Sequence, residues 1–366
     1  MKIAPLRRAL SPYAAEVETI IVHTGQHYDY AMSKVFFDQL EIPEPRYHLD
    51  VGSGSHAWQT AEVMMRFEKL VTENRPDLVV VVGDVNSTIA AALVAVKLLI
   101  PVAHVEAGLR SFDRSMPEEV NRVLTDRVSE LLFATEPAAV ANLTREGAPP
   151  EHVHLTGNVM IDELAYNLDR IRSRGAGERL GLAMKQYALV TIHRPANVDD
   201  PAALAAVLAA VREAAGRLPV VFPVHPRTVK NLETFGLREQ FTATANLRCI
   251  EPQGYLDFMN LLAGAACVMT DSGGIQCEAA WLGVPCITLR DRTEHVMTVE
   301  QGYNRLTALD LGAIREALDW AAALEATGRS TPTVWDGKAA ERTAAILTEF
   351  LAAQGPGAIF RAHAGR

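Results

Sequence analysis

Short β-branched runs alternate with longer stretches of helical periodicity along the whole chain. Apolar runs at 17–22, 78–82, 102–105 and 131–134 predict strands in the first half. Runs at 188–192, 220–223, 247–250, 267–270 and 285–289 predict strands in the second. The 79–82 run is four consecutive valines, a pattern that suits a strand covered on both faces in a parallel sheet. Between the strands, 88–99, 117–132, 201–216 and 274–282 carry apolar residues at helical spacing. Strand, loop and helix in repeated succession predict an α/β, doubly wound fold.

A break falls at 162–182, where a charged helix-like stretch meets Arg172-Ser173-Arg174-Gly175-Ala176-Gly177. With 366 residues, the chain is long enough for two domains. The break divides it into domains at 1–168 and 169–337. An alanine-rich amphipathic helix is expected from 338 to 353, with a frayed tail over 354–366. No fixed-period repeat or low-complexity tract is visible.

Composition narrows the function classes. Hydrophobic residues make up 49% and charged residues 22%, and the formal net charge is −9. An acidic chain argues against broad binding to nucleic acid or anionic membrane, and leaves room for a local basic pocket that takes a phosphorylated ligand. Cys249, Cys267, Cys277 and Cys286 form no CxxC pair and are expected to be buried thiols in a reducing compartment. Residues 1–20 lack the apolar stretch of a signal peptide. The most apolar region, 78–100, is interrupted by Gly83, Asp84 and Asn86, so no membrane span is expected and the cytoplasm is the expected compartment.

Four segments gather polar residues where predicted strands end, the place where open α/β sheets bind ligands. Asp84, in Val82-Gly83-Asp84-Val85-Asn86, follows a strand and either caps the next helix or enters a crevice. Glu106, in His104-Val105-Glu106-Ala107-Gly108-Leu109-Arg110, leaves the following strand and needs a partner if buried. That partner is either Arg110 or a ligand in the crevice shared with Asp84. In Pro117-Glu118-Glu119-Val120-Asn121-Arg122, proline and two glutamates make a good helix start. Glu118 there is either a surface partner of Arg122 one turn on or a third carboxylate facing the ligand. In Asp271-Ser272-Gly273-Gly274-Ile275-Gln276-Cys277-Glu278 a strand runs through Ser-Gly-Gly into a helix, a turn fit to receive an anion on backbone N–H groups. Glu278, one turn in, could accept from ribose hydroxyls. The pairs His193-Arg194 and His225-Pro226-Arg227 end successive strands and suggest a cationic lining for a diphosphate. No metal-ligand spacing is present.

With these residues in view, the sequence resembles the non-hydrolysing UDP-N-acetylglucosamine 2-epimerases. The resemblance runs from Lys2-Ile3-Ala4-Pro5-Leu6 to about Leu306. It includes Thr24-Gly25-Gln26-His27, Gly83-Asp84, His104-Val105-Glu106-Ala107-Gly108-Leu109-Arg110, Pro117-Glu118-Glu119, Asn121-Arg122, Gly157-Asn158, His193-Arg194 and Asp271-Ser272-Gly273-Gly274-Ile275-Gln276. It implies two Rossmann-like domains in a GT-B arrangement, with the active site in the interdomain cleft and the helix from about 338 packing back on the first domain. It implies interconversion of UDP-GlcNAc and UDP-ManNAc without metal or nicotinamide cofactor, by a homodimer serving cell-envelope polysaccharide synthesis. By position, Asp84, Glu106, Glu118 and His193 match the family's catalytic residues. Phe258, Ser272, Gly273, Gly274 and Glu278 match its nucleotide site, with Phe258 against the uracil, and Lys2 and Arg122 match basic substrate-binding positions.

The family normally opens with a strand leading into Gly-Thr-Arg-Pro-Glu ahead of the segment matched by Met1–Leu6, and the first domain here is expected to lack that strand. His295-Val296 stands where many relatives have Arg-Pro, and Ala308 and the stretch 52–56 also depart from the common pattern. Regulation by a second UDP-sugar is therefore not carried over. Alternatives are a GT-B glycosyltransferase using the same nucleotide site, a UDP-sugar-binding protein impaired in catalysis, and a hydrolysing epimerase.

Overall fold

The structure is a computed structural model and describes residues 1–25, 39–327 and 332–354. Gln26 and His27 of the Thr-Gly-Gln-His segment, and the tail from 355 onward, lie outside the described residues. The chain divides into two compact units: Met1–Glu163 with Val334–Arg366, and Leu164–Thr333.

In the first unit, strands β3 (Val79–Val82), β4 (Val102–Ala107), β5 (Leu131–Ala134) and β6 (Val153–Leu155) form a parallel sheet in sequence order. A separate parallel pair joins β1 (Val22–His23) to β2 (Tyr47–His48). The expected 17–22 strand is thus reduced to two residues, because only Val22 and His23 pair with a neighbour among the described residues. β4 and β5 are buried along their length, as near-continuous apolar runs require. β3 departs from expectation: Val79 and Val81 pack with Val63, Phe67, Ala90 and Val94, while Val80 on the other face is exposed. The helix expected over 117–132 ends at Val128, where Ser129 turns extended and leads into β5.

Helix Ala339–Gln354 belongs to this unit. It buries Ala339, Ala340, Thr343, Ala344 and Leu347, a stripe of helical period that joins Leu6, Val105, Leu131 and Phe133 in one apolar cluster. Asp162 accepts a hydrogen bond from the Ala340 N–H at 2.6 Å, which satisfies one orphan donor of the helix start. Trp335, fully buried, donates from its indole to the Thr135 carbonyl at 3.0 Å.

In the second unit, six parallel strands take the order β12-β11-β10-β7-β8-β9: β7 (Ala188–Thr191), β8 (Val220–Pro223), β9 (Leu247–Ile250), β10 (Cys267–Thr270), β11 (Cys286–Thr288) and β12 (Asn304–Leu306). The chain runs outward from β7 to β9, then returns and runs outward the other way from β10. The strand order therefore reverses between β7 and β10, the position where doubly wound sheets open a crevice at their carboxyl ends. Helices Pro201–Ala215 and Leu311–Thr327 pack against one face, and Phe222 meets Phe241 edge-on. Asp200 starts the first of these helices by accepting from the Ala202 and Ala203 N–H groups. Cys249 is exposed, so only three of the four thiols are buried as expected. No helix among the described residues is long and apolar enough to cross a membrane.

Leu347, 3% exposed, ties the returning helix to the first sheet. Leu347→Ala is expected to cost about 2–5 kcal/mol of unfolding free energy. Urea denaturation followed by tryptophan fluorescence checks this, and a loss below about 0.5 kcal/mol would mean the helix is an appendage rather than part of the core.

Candidate active site

In the first unit, β3 and β4 carry their polar residues out of the sheet at adjacent ends. Gly83 leaves β3 with φ +72°, and a Cβ there would lie 3.1 Å from the Lys2 ammonium and 3.4 Å from a Glu106 carboxylate oxygen. The positive φ is what favours glycine here. Glu106 sits in a register irregularity between Val105 and Ala107 and has φ +74°, a costly conformation for a residue with a Cβ. The irregularity re-aims the carboxylate, which pairs with the Lys2 ammonium and is only 5% exposed. Burial alone would lower the Lys2 pKa, but Glu106 and Asp84 outweigh it and hold the ammonium above its ordinary value.

Arg122 joins the other carboxylate to the same cluster. Its guanidinium contacts Asp84 Oδ2 at 2.5 Å and Glu119 Oε2 at 2.8 Å. Asn121 donates to the Asp84 carbonyl at 2.9 Å. The structure thus brings together Lys2, Asp84, Glu106 and Arg122. Three simpler readings of the sequence give way. Asp84 does not cap the following helix, whose N-cap is Val85 with no side-chain bond. Glu106 pairs with Lys2 and not with Arg110, whose partners are Asp126 at 2.7 Å and Glu146 at 2.6 Å. Glu118 does not pair with Arg122; half-buried in the first helical turn, it makes no ion pair or hydrogen bond among the described residues.

Beneath this cluster lies a buried polar layer that sequence reasoning missed. His104, fully buried, places Nδ1 2.6 Å from Asp126 Oδ1 and Nε2 2.8 Å from the Gly83 carbonyl. Asp126 Oδ2 also accepts from the Gly108 N–H at 3.0 Å. Glu119 accepts from the Ser111 and Phe112 N–H groups and so fixes the loop after β4. One signal was available. On helix Pro117–Val128 the polar residues Glu119, Arg122 and Asp126 share one face, and Val120, Val123 and Leu124 share another. Periodicity marks two faces without saying which turns inward, and here the charged one does.

In the second unit, candidate residues gather where β7 and β10 end side by side. Asp271, fully buried, accepts from the backbone N–H groups of His193 and Arg194 and from the Asn197 amide. It thereby fixes the His193 loop beside the Ser272 turn. Ser272 is the N-cap of helix Gly273–Trp281, but its hydroxyl makes no capping bond, so the N-cap side chain satisfies none of the first N–H groups, where the helix carries partial positive charge. A Cβ on Gly273 would fall 2.4 Å from a Glu294 carboxylate oxygen, so a larger residue there would force the Glu294 side chain to move. Arg290 pairs with Glu294 at 2.9 Å. Glu278 is buried one turn into the helix. His193 and Ser272–Gly274 are thus adjacent. Phe258, half-buried on helix Tyr255–Gly264, is joined to them by no hydrogen bond or ring contact among the described residues.

The second histidine pair does not form the cationic lining expected of it. His225 lies 6.3 Å from His193 between ring centroids. Burial first, then His193 and Arg227, lower its pKa. Its Nδ1 accepts from the Arg227 N–H, which requires an unprotonated nitrogen, and the Arg227 guanidinium is neutralised by Asp199. No cluster of three metal-ligating side chains occurs among the described residues.

A helix start at a sheet switch point is an arrangement at which doubly wound α/β proteins commonly receive anionic, nucleotide-like ligands. The comparisons with known proteins narrow this class. The family model described as UDP-N-acetylglucosamine 2-epimerase matches residues 11–348. A UDP-N-acetylglucosamine 2-epimerase homolog of Methanococcus maripaludis is 46% identical over 86% of this chain and 87% of its own. A UDP-2,3-diacetamido-2,3-dideoxy-D-glucuronate 2-epimerase of Pseudomonas aeruginosa is 43% identical over 82% of this chain and 81% of its own. Among solved structures, the Methanocaldococcus jannaschii UDP-GlcNAc 2-epimerase in complex with UDP-GlcNAc and UDP is similar at a TM-score of 0.88 and 40% identity, over 95% of this chain and 96% of that one. The chain belongs to the UDP-N-acetylglucosamine 2-epimerase family, a family of isomerases with a GT-B-like fold.

Asp126 makes part of the first unit acid-sensitive. Burial alone would raise its pKa, but His104, Arg110 and the Gly108 N–H outweigh it and hold the carboxyl below the ordinary range. A depressed folded-state pKa contributes stability that is present above the unfolded value of about 3.9 and lost as pH falls through the lower native value. Asp126→Asn is expected to cost about 1–3 kcal/mol at neutral pH and to flatten the fall in stability below about pH 4. Urea unfolding across that range checks it; an unchanged acid slope would remove Asp126 from the account.

Proposed function

We propose that the chain is a non-hydrolysing UDP-GlcNAc 2-epimerase that interconverts UDP-GlcNAc and UDP-ManNAc by eliminating UDP and adding it back. Family membership supports the activity. The observation that carries the mechanism is the pairing of Asp84 and Glu106 with Arg122 and Lys2 at neighbouring strand ends. The C2 hydrogen of the sugar is not α to a carbonyl, so its removal needs a positioned base and a leaving group that departs with it. UDP leaves C1 as C2 loses its proton, giving a bound 2-acetamidoglucal. Protonation of C2 from the opposite face, with return of UDP to C1, completes the inversion. Acid and base groups are therefore needed on both faces, the roles assigned to Asp84, Glu106 and Glu118.

His193 and the N–H groups at the Ser272–Gly274 helix start receive the negative charge of departing UDP. Glu278 accepts from the ribose, Phe258 covers the uracil, and Lys2 and Arg122 balance the carboxylates and bind the substrate. No metal or cofactor is required by this route. The test is incubation with UDP-GlcNAc in heavy water, without added acceptor, read by NMR. The expected outcome is UDP-ManNAc carrying deuterium at C2, with Glu106→Gln slower by about 10²–10⁴. Product without label at C2 would sink the elimination route, and free ManNAc with UDP would point to a hydrolysing enzyme. The similarity to a diacetamidoglucuronate epimerase makes that UDP-sugar the second substrate to try.

The protein is further proposed to work in the cytoplasm as a homodimer supplying cell-envelope polysaccharide synthesis. The observation favouring self-association is helix Pro117–Val128, which buries Glu119, Arg122 and Asp126 and exposes Val120, Val123 and Leu124. An exposed apolar stripe on one helix face is a surface suited to packing against a second copy. Leu124→Glu is expected to shift sedimentation from dimer to monomer, and a variant that sediments like the parent would place any dimer contact elsewhere.

A further inference from the structure

We infer that His104, donating from both ring nitrogens, is a positioning residue that sets Asp84 against Glu106. This rests on the proposed reaction for its kinetic consequence, though not for its geometry. Nδ1 faces Asp126 Oδ1 at 2.6 Å and Nε2 faces the Gly83 carbonyl at 2.8 Å. A carbonyl oxygen can only accept, and an ionised carboxylate can only accept, so each ring nitrogen must supply a hydrogen and the imidazole carries its second proton. Asp126 is ionised: its carboxyl also pairs with the Arg110 guanidinium at 2.7 Å and accepts from the Gly108 N–H at 3.0 Å.

The charged groups around the ring come from every side of it. Asp126 reaches up from helix Pro117–Val128, Arg110 from the segment after β4, and Glu146 closes the set by pairing with Arg110 at 2.6 Å. Two cations and two anions balance, which is how a charge can stand on a buried ring, with Glu146 at the partly exposed end of the set.

The brace matters because of what it holds. The Gly83 carbonyl immediately precedes Asp84, and Gly108 lies two residues beyond Glu106. A single buried His–Asp pair therefore grips the backbone of both carboxylate-bearing loops. Glu106 needs this grip, because its φ of +74° persists only where the surroundings over-determine it. Losing the Nε2 donor would leave the Gly83 carbonyl unbonded and let the Asp84 loop relax. A displacement of about 1 Å between reacting groups costs on the order of 100-fold in rate.

Two measurements on the full-length protein test this. Ring ¹⁵N–¹H correlation spectra of histidine-labelled protein at the assay pH are expected to show one histidine with hydrogens on both nitrogens, and that signal should vanish in His104→Asn. A wild-type spectrum without such a histidine overturns the inference. In kinetics, the asparagine amide can still reach Asp126 but not Gly83. His104→Asn is expected to lower kcat about 100-fold while KM for UDP-GlcNAc stays within about 3-fold. Asp126→Asn can donate to Nδ1 and leave Nε2–H on Gly83, so its kcat should fall by only about 10-fold. A folded His104→Asn with near-normal kcat, or a loss confined to KM, overturns the brace. If His104→Asn does not fold, Asp126→Asn decides, and unchanged kcat with it overturns the brace too. Wild-type protein that fails to exchange the C2 hydrogen would sink the epimerase reading alone, because the spectra read the histidine without turnover.

Discussion

A carboxylate almost out of reach of water holds the first unit's functional edge in place. Asp126 binds an imidazole, a guanidinium and a backbone N–H at once. Burying it costs several kcal/mol unless all of these are present together. The arrangement is therefore all-or-none. With its partners aligned, the loops after β3 and β4 are fixed; with one missing, a buried charge is left uncompensated. This explains why helix Pro117–Val128 turns its charged face toward the sheet, against the usual rule for surface helices.

The second unit solves a different problem with a different device. Its strand order reverses between β7 and β10, and there the backbone presents a helix start at Ser272 and a loop at His193 anchored on Asp271. Backbone N–H groups in fixed positions need no reorganisation to receive an anion. The first unit is built instead on paired side-chain charges.

The two units also differ in how their conformations are enforced. Glu106 occupies a backbone region disfavoured for any residue with a Cβ, and the strain is held by the Lys2 contact and by the buried layer below. Gly273 instead leaves room for Glu294, which pairs with Arg290 beside the helix start. Replacing either feature by a larger or more relaxed residue would move groups that have little space to adjust.

Local pattern was enough to read the α/β class, most strands of the second unit and the polar segments at strand ends. Apolar runs such as 131–134 and 267–270 report burial on both faces whatever packs against them, and Ser272-Gly273-Gly274 reports a turn that glycine makes possible. Asp84 and Glu106 could be named from the residues themselves, and Lys2 and Arg122 through the family resemblance. Their pairings could not. Glu106 chose Lys2, 104 residues away, over Arg110 four residues on, and Arg122 chose Asp84 over Glu118. His104 and Asp126 looked like an ordinary strand residue and an ordinary helix residue, because the bond between them exists only once β4 and helix Pro117–Val128 are packed together. Propensity and periodicity are properties of neighbours in sequence, whereas the choice of a buried charge's partner is made among neighbours in space.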